Sequence, residues 1–157
     1  MKFKLILIGK TAKSYISEGE QEYIKRLAKY ISFEKIVIPD LKNAKKLSFQ
    51  EIKRQEGELI LKQIASSDWV ILLDEKGKEF RSKDFAQFIQ KRMNQGPKGI
   101  TFVIGGAYGF SDKVYQVAKE KMALSKMTFS HQMVRMIFLE QLYRAFSILN
   151  NEPYHHE

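Results

Sequence analysis

Two hydrophobic periods alternate along the chain. The stretch KFKLILIG carries four consecutive apolar residues, Leu5 to Ile8, and stops at Gly9, the pattern of a buried strand. SEGEQEYIKRLAKYI then repeats apolar residues at Tyr23, Ile24, Leu27 and Ile31, the spacing of one helix face. Ser17 and Glu20 have the capping-box spacing at its start. FEKIVIP predicts a second strand stopped by Pro39, and NAKK a polar loop. Ser48 and Glu51 form another capping-box pair, opening a helix to about Ala65. DWVILLD is almost wholly apolar and predicts a third strand covered on both faces. Ser82 is placed to cap a helix over residues 83–93, NQGPKG is a turn, and ITFVIGG a fourth strand. Ser111 caps a short helix to about Lys121, MALS is a short fifth strand, and a last helix covers residues 131–149. Strands alternating with helices predict a single α/β domain over residues 1–157, its mostly parallel sheet flanked by helices.

The length of 157 residues suits that reading and supports a sizeable core. Composition narrows the class further. Charged residues make up 29% of the chain, and no apolar run approaches the length of a membrane span. The opening MKFKLILIGK has too short an apolar run for a signal peptide and lacks a cleavage site. The chain has no cysteine, which excludes disulfides and thiolate metal sites and fits a cytoplasmic protein. Its net charge of +9 is dispersed rather than gathered in a tail. A folded basic surface suits a polyanion such as nucleic acid, and equally a soluble basic protein with no such partner.

In parallel sheets, ligands bind beyond the carboxyl ends of the strands, so LLDEKG, VIGGAYG and LSKMTF draw the chemistry. Gly105 and Gly106 let main chain approach a ligand closely or adopt a positive φ. A phosphate loop and a plain strand-to-helix turn both fit there, although neither phosphate-loop spacing is present. Asp74 and Glu75 are adjacent acids, open to metal binding, to acid–base work or simply to solvent. On the last helix, Val134, Ile137, Phe138, Leu142, Ala145, Phe146 and Leu149 make a core stripe. Met133, Met136 and Tyr143 lie off it, so a second apolar side points to a homodimer interface. His131 and Arg135, and Glu140 and Arg144, are spaced one turn apart as ordinary helix pairs. In the tail PYHHE, Tyr154 and His155 can stack on a base or move a proton. Two adjacent histidines without further ligands make a poor zinc site.

Four stretches taken together, LLDEKGKEFRSKDFA, FVIGGAYGFSDKV, LSKMTFSHQMVRMIFLEQLYRAFSI and PYHHE, resemble the bacterial RlmH family over essentially the whole chain. These are small SPOUT-class methyltransferases of large-subunit ribosomal RNA. The resemblance implies a SPOUT-type fold with a C-terminal trefoil knot, a homodimer, and S-adenosylmethionine as methyl donor. It implies methylation of N3 of a pseudouridine in 23S rRNA, within the large subunit or 70S ribosome, with no membrane and no metal. It places Leu73, Gly105, Leu124, Ser125, Lys126, Met127, Thr128 and Phe129 around the donor. Arg144, Tyr154 and His155 match positions linked to RNA binding or catalysis.

On that reading the reaction is direct methyl transfer. His155 is the candidate general base, Tyr154 stacks on or orients the target base, and Arg144 binds phosphate or the developing anion. One subunit's tail is expected to reach its partner's donor pocket. Two rivals remain at this level: a non-catalytic ribosome-binding factor, and a methyltransferase with another RNA target.

Overall fold

Branched and aromatic residues fill the five strands, and their alternation assigns each side chain to one of two cores. The computed structural model describes residues 1–156. The strands are β1 (Lys2–Ile8), β2 (Ser32–Ile38), β3 (Asp68–Glu79), β4 (Gly99–Ile104) and β5 (Glu120–Ala123). They form one sheet in the order β2-β1-β4-β3-β5, and every pairing is parallel. The helices are α1 (Ser14–Leu27), α2 (Phe49–Lys62), α3 (Ser82–Asn94), α4 (Asp112–Val117) and α5 (Met133–Leu149). Phe3, Leu5, Leu7, Ile71 and Phe102 face a core shared with α1, α3 and α5. Ile6, Ile8, Val70, Leu72 and Val103 face a second core under α2 and α4. A sheet covered on both sides explains why its strands read as continuous apolar runs.

Several helix starts differ from the sequence expectation. Ser48 caps α2 as predicted, accepting from the Glu51 N–H at 3.1 Å, and Ser111 caps α4. Ser17 does not cap α1: its own N–H already bonds the Lys13 carbonyl at 3.0 Å, three residues into a helix that begins at Ser14. Glu20 lies one turn further along, fully buried, accepting from Thr11 Oγ1 and from Lys35 Nζ. Ser82 is the first residue of α3 rather than its cap, and its hydroxyl donates to Gln141 Oε1. α2 ends at Lys62, α4 at Val117, and α5 starts at Met133.

The largest departure is in β3. The strand predicted over DWVILLD runs on through EKGKE. The ladder to β5 is interrupted between Leu73 and Lys78 and resumes with Lys78 opposite Met122. Gly77 makes this possible: a Cβ there would lie 2.5 Å from the Met122 backbone nitrogen. Only a residue without a side chain lets the two backbones pass so closely.

α5 also departs from its predicted pattern. Arg135 sits on its most buried face and is 1% exposed. It is no partner of His131. Its guanidinium donates to the carbonyls of Ile8 at 2.6 Å and Gly9 at 2.8 Å, and to Thr11 Oγ1. These carbonyls lie at the carboxyl end of β1, where the ladder runs out, and a buried carbonyl without a donor is costly. Burial lowers the Arg135 pKa, while Glu20 and Asp40 act in the opposite direction.

Candidate functional site

β4 and β5 end at one cavity of about 640 Å³ that the middle of β3 also lines, within the usual range for small-molecule sites. β3 contributes Leu73, Asp74 and Glu75; the loop after β4 contributes Gly105 to Phe110; the loop after β5 contributes Leu124, Ser125 and residues 127–131. Ile104, Met122 and Val134 add apolar wall. Leu73, Gly105, Leu124, Ser125, Met127, Thr128 and Phe129, all expected at a donor site, therefore line a single cavity. Lys126 belongs to the same loop but does not line the cavity.

Of the two uses that the sequence suggested for the glycine pair, the left-handed backbone is not made. Neither Gly105 nor Gly106 has a positive φ; in this loop only Gly109 does, at 88°. A Cβ on Gly105 would lie 2.9 Å from the Phe110 ring, and one on Gly106 would lie 2.7 Å from Glu56 Oε1. At both positions Phe110 and Glu56 occupy the space that a side chain would need, and both glycines line the cavity. Glu56 is almost fully buried. Burial first, and Asp40 second, push its pKa up.

The two acids on the wall are both engaged. Asp74 accepts from the Lys76 N–H at 2.8 Å and from the Tyr115 hydroxyl. Burial and Asp74 raise the Tyr115 pKa to about 12, so the phenol keeps its proton and donates. Glu75 accepts from Thr128 Oγ1 at 3.4 Å, linking β3 to the loop after β5. Within that loop Ser125 Oγ accepts from the Met127 N–H, and Ser130 Oγ from the Met133 N–H. His131 also lines the cavity.

A second cluster forms where the tail folds back on α5. Glu140 accepts from Arg144 Nε and Nη2 at 2.9 and 2.6 Å, and from the Tyr154 hydroxyl at 3.2 Å. Arg144 lies over the Tyr154 ring, 4.6 Å from its centroid, and approaches His155 Nδ1 at 3.0 Å. Guanidinium can only donate, so Nδ1 accepts and the neutral imidazole carries its proton on Nε2. Burial, the Tyr23 hydroxyl and Glu140 raise the Tyr154 pKa, so the phenol is also protonated.

One chain does not unite the two groups. Arg144, Tyr154 and His155 are all absent from the cavity wall. Val134 lines the cavity and Arg144 lies ten positions later on the same helix, about 15 Å further along its axis. Sequence reasoning missed Arg135, Glu56, Gly77 and Tyr115. Arg135 had a signal: it falls on the helical face of Phe138, Leu139 and Leu142, where a charge has to find partners.

The family profile described as "Predicted SPOUT methyltransferase" matches residues 1–155. The chain belongs to the SPOUT methyltransferase family. Among relatives of this SPOUT chain, the "Ribosomal RNA large subunit methyltransferase H" of Parabacteroides distasonis is 59% identical over 157 residues, covering 100% of both chains. The protein of the same name from Christiangramia forsetii is 58% identical over 156 residues, 99% of each chain. A solved structure, a probable methylase family protein from Haemophilus influenzae, aligns with a TM-score of 0.56 at 12% identity. It covers 99% of the SPOUT chain described above and 70% of its own, and it shows a shared fold.

Proposed function

We propose that the chain transfers a methyl group from S-adenosylmethionine to N3 of a pseudouridine in 23S rRNA, on the large subunit or 70S ribosome in the cytoplasm, as a homodimer. The observation that carries this reading is the convergence of Leu73, Gly105 and the loop from Leu124 to Phe129 on one cavity, Lys126 alone excepted. The name shared by the full-length relatives points the same way.

The cavity suits the donor. Ile104, Met122, Leu124 and Val134 offer apolar surface for a nucleoside, and the glycine loop offers main-chain donors and acceptors. Asp74 and Glu75 supply negative charge for a sulfonium and an ammonium. When bound, S-adenosylmethionine supplies an electrophilic methyl group. The loops after β4 and β5 hold it, and they are the segments that would cross in the trefoil knot implied by the family resemblance.

Arg144, Tyr154 and His155 handle the acceptor base. N3 of the base lies between two carbonyl groups and must lose its proton to attack. The Tyr154 hydroxyl already donates to Glu140, so it is the phenol ring that is fit to stack on the base and orient it for proton loss. His155 becomes a proton acceptor at Nδ1 once Arg144 leaves it for an RNA phosphate. Substrate binding and base activation are then one event.

Because the cluster stands about 15 Å along α5 from its own cavity, the site is completed by a second protomer, whose cluster meets this cavity. Met133, half-buried on α5, is left to supply apolar surface for that contact, because Met136 packs on Gly19 and Tyr143 on Tyr23 and Tyr30 of the same chain. Calorimetry with S-adenosylmethionine tests the reading: one donor per chain is expected, followed by methyl transfer to ribosomes lacking the modification. Donor binding without transfer to any RNA favours a non-catalytic ribosome-binding factor instead.

A further inference from the structure

Phe49 and Tyr108 are exposed by 63% and 44%, yet their rings stack on each other, 4.1 Å between centroids and 21° between planes. They come from different elements. Phe49 is the first residue of α2, and Tyr108 belongs to the glycine loop that walls the cavity. Stacking covers one face of each ring and leaves the other to solvent. Just before Phe49 the chain turns through Asn43, at φ 60°, and the short 3₁₀ turn Ala44–Lys46. Lys42, Lys45 and Lys46, all exposed, lie in this turn. Of the flanking acids, Asp40 sits against Gly9, where a Cβ would lie 2.7 Å from its carboxylate, and Glu51 is held by Arg54 at 2.6 Å. None of these groups serves either core.

Aromatic faces beside unneutralised cations are the elements of a single-stranded nucleic-acid surface: bases stack and lysines follow the phosphates. We infer that Phe49 and Tyr108, with Lys42, Lys45 and Lys46, dock a single-stranded segment of the RNA substrate next to the target base. The inference rests on the ribosomal RNA reading above and adds a second contact to it. Tyr108 supplies continuity, because the same loop that walls the cavity carries the outer stack. An RNA strand leaving the cavity mouth meets an aromatic step and then positive charge.

The test compares the full-length wild type, Phe49→Leu and Phe49→Tyr for binding to large ribosomal subunits lacking the modification. Phe49→Leu keeps apolar volume but loses the stack. It is expected to weaken subunit binding at least fivefold, from the roughly 1–3 kcal/mol that a stacked base contributes. S-adenosylmethionine affinity should stay within about twofold, since Phe49 lies outside the cavity wall. Phe49→Tyr should bind like the wild type. A Lys45→Gln/Lys46→Gln variant should flatten the salt dependence of binding by a slope of about 1–2. Wild-type affinity in Phe49→Leu overturns the inference. So does a loss explained by dissociation of the dimer in sedimentation equilibrium, which would make this a face between copies of the chain. If the wild type binds subunits but methylates nothing, the enzymatic reading fails while the Phe49 comparison still decides the docking surface.

Discussion

Arg144 donates to His155 Nδ1 across 3.0 Å, so the tail histidine is held as an Nε2–H tautomer by the residue that also lies over Tyr154. The three residues singled out from the sequence are linked through Arg144, with Glu140 accepting from Arg144 and from Tyr154. An imidazole held this way is poised to donate, and it gains a basic nitrogen when its arginine is drawn elsewhere.

Disrupting the cluster should therefore slow transfer without weakening the methyl donor. Arg144→Lys keeps the charge but loses the planar fork that reaches Glu140 and His155 together. We expect a fall in kcat of roughly 100-fold for Arg144→Lys, the size seen when one preorganised donor is lost. Tyr154→Phe, which frees the ring from Glu140, should cost up to about tenfold, the worth of one hydrogen bond. Steady-state kinetics on ribosomes, with calorimetry for the donor, separates the effects. An equal loss of donor affinity would place the cluster in the cofactor site instead.

A site shared between protomers should show complementation. Gly105→Val, whose side chain would run into Phe110, spoils the cavity and spares the tail. Arg144→Ala does the reverse. Random mixing after denaturation and refolding should restore about a quarter of wild-type activity, since half the dimers hold one complete site of two. Mixtures no more active than the separate variants would show that each chain works alone.

Glu56 makes stability depend on pH. Its carboxyl titrates above the ordinary carboxylate value because of burial and then Asp40. The folded state thus holds this proton more tightly than the unfolded state. The stability that it contributes is complete below the unfolded value and is lost as pH rises through the folded one. Glu56→Gln mimics the protonated form, so thermal melts should show it gaining on the wild type as pH rises from 4 to 8. A gap independent of pH would mean that Glu56 does not titrate in this range.

Gly77 should be among the least replaceable glycines. A Cβ would meet the backbone of Lys121 and Met122 within 2.6 Å, where no flexible side chain can move aside. Gly77→Ala should destabilise by roughly 3 kcal/mol, from overpacking at a rigid contact. Gly96 has a positive φ of 73° but open space around it, so Gly96→Ala should cost only about 1 kcal/mol. Denaturant melts of both variants check the order, and the reverse order would put the strain in the turn.

The alternating parallel design was legible because both sheet faces are covered, which leaves the strands as apolar runs between amphipathic helices. That the loop LSKMTF belongs at a cavity was legible only through family resemblance, since it carries no periodic signal. Capping boxes were half reliable. Ser48 and Ser111 cap their helices, but Ser17 and Glu20 share a helix face at the same three-residue spacing, and nothing local tells the two cases apart. EKGKE is polar and follows the apolar run of β3, so nothing local shows that the strand continues to a second, long-range pairing of Lys78 with Met122 and Glu79 with Ala123. The reason for glycine at 105 and 106 lay with Phe110 and Glu56. A glycine tells where a side chain is excluded and not what excludes it.

Mass spectrometry of nucleosides from 23S rRNA tests the central claim most directly. Ribosomes lacking the modification are incubated with the protein and S-adenosylmethionine carrying a labelled methyl group. A single labelled nucleoside, pseudouridine methylated at N3, is the predicted result. Label on a different base or ring position, or none despite saturated donor binding, would contradict the account.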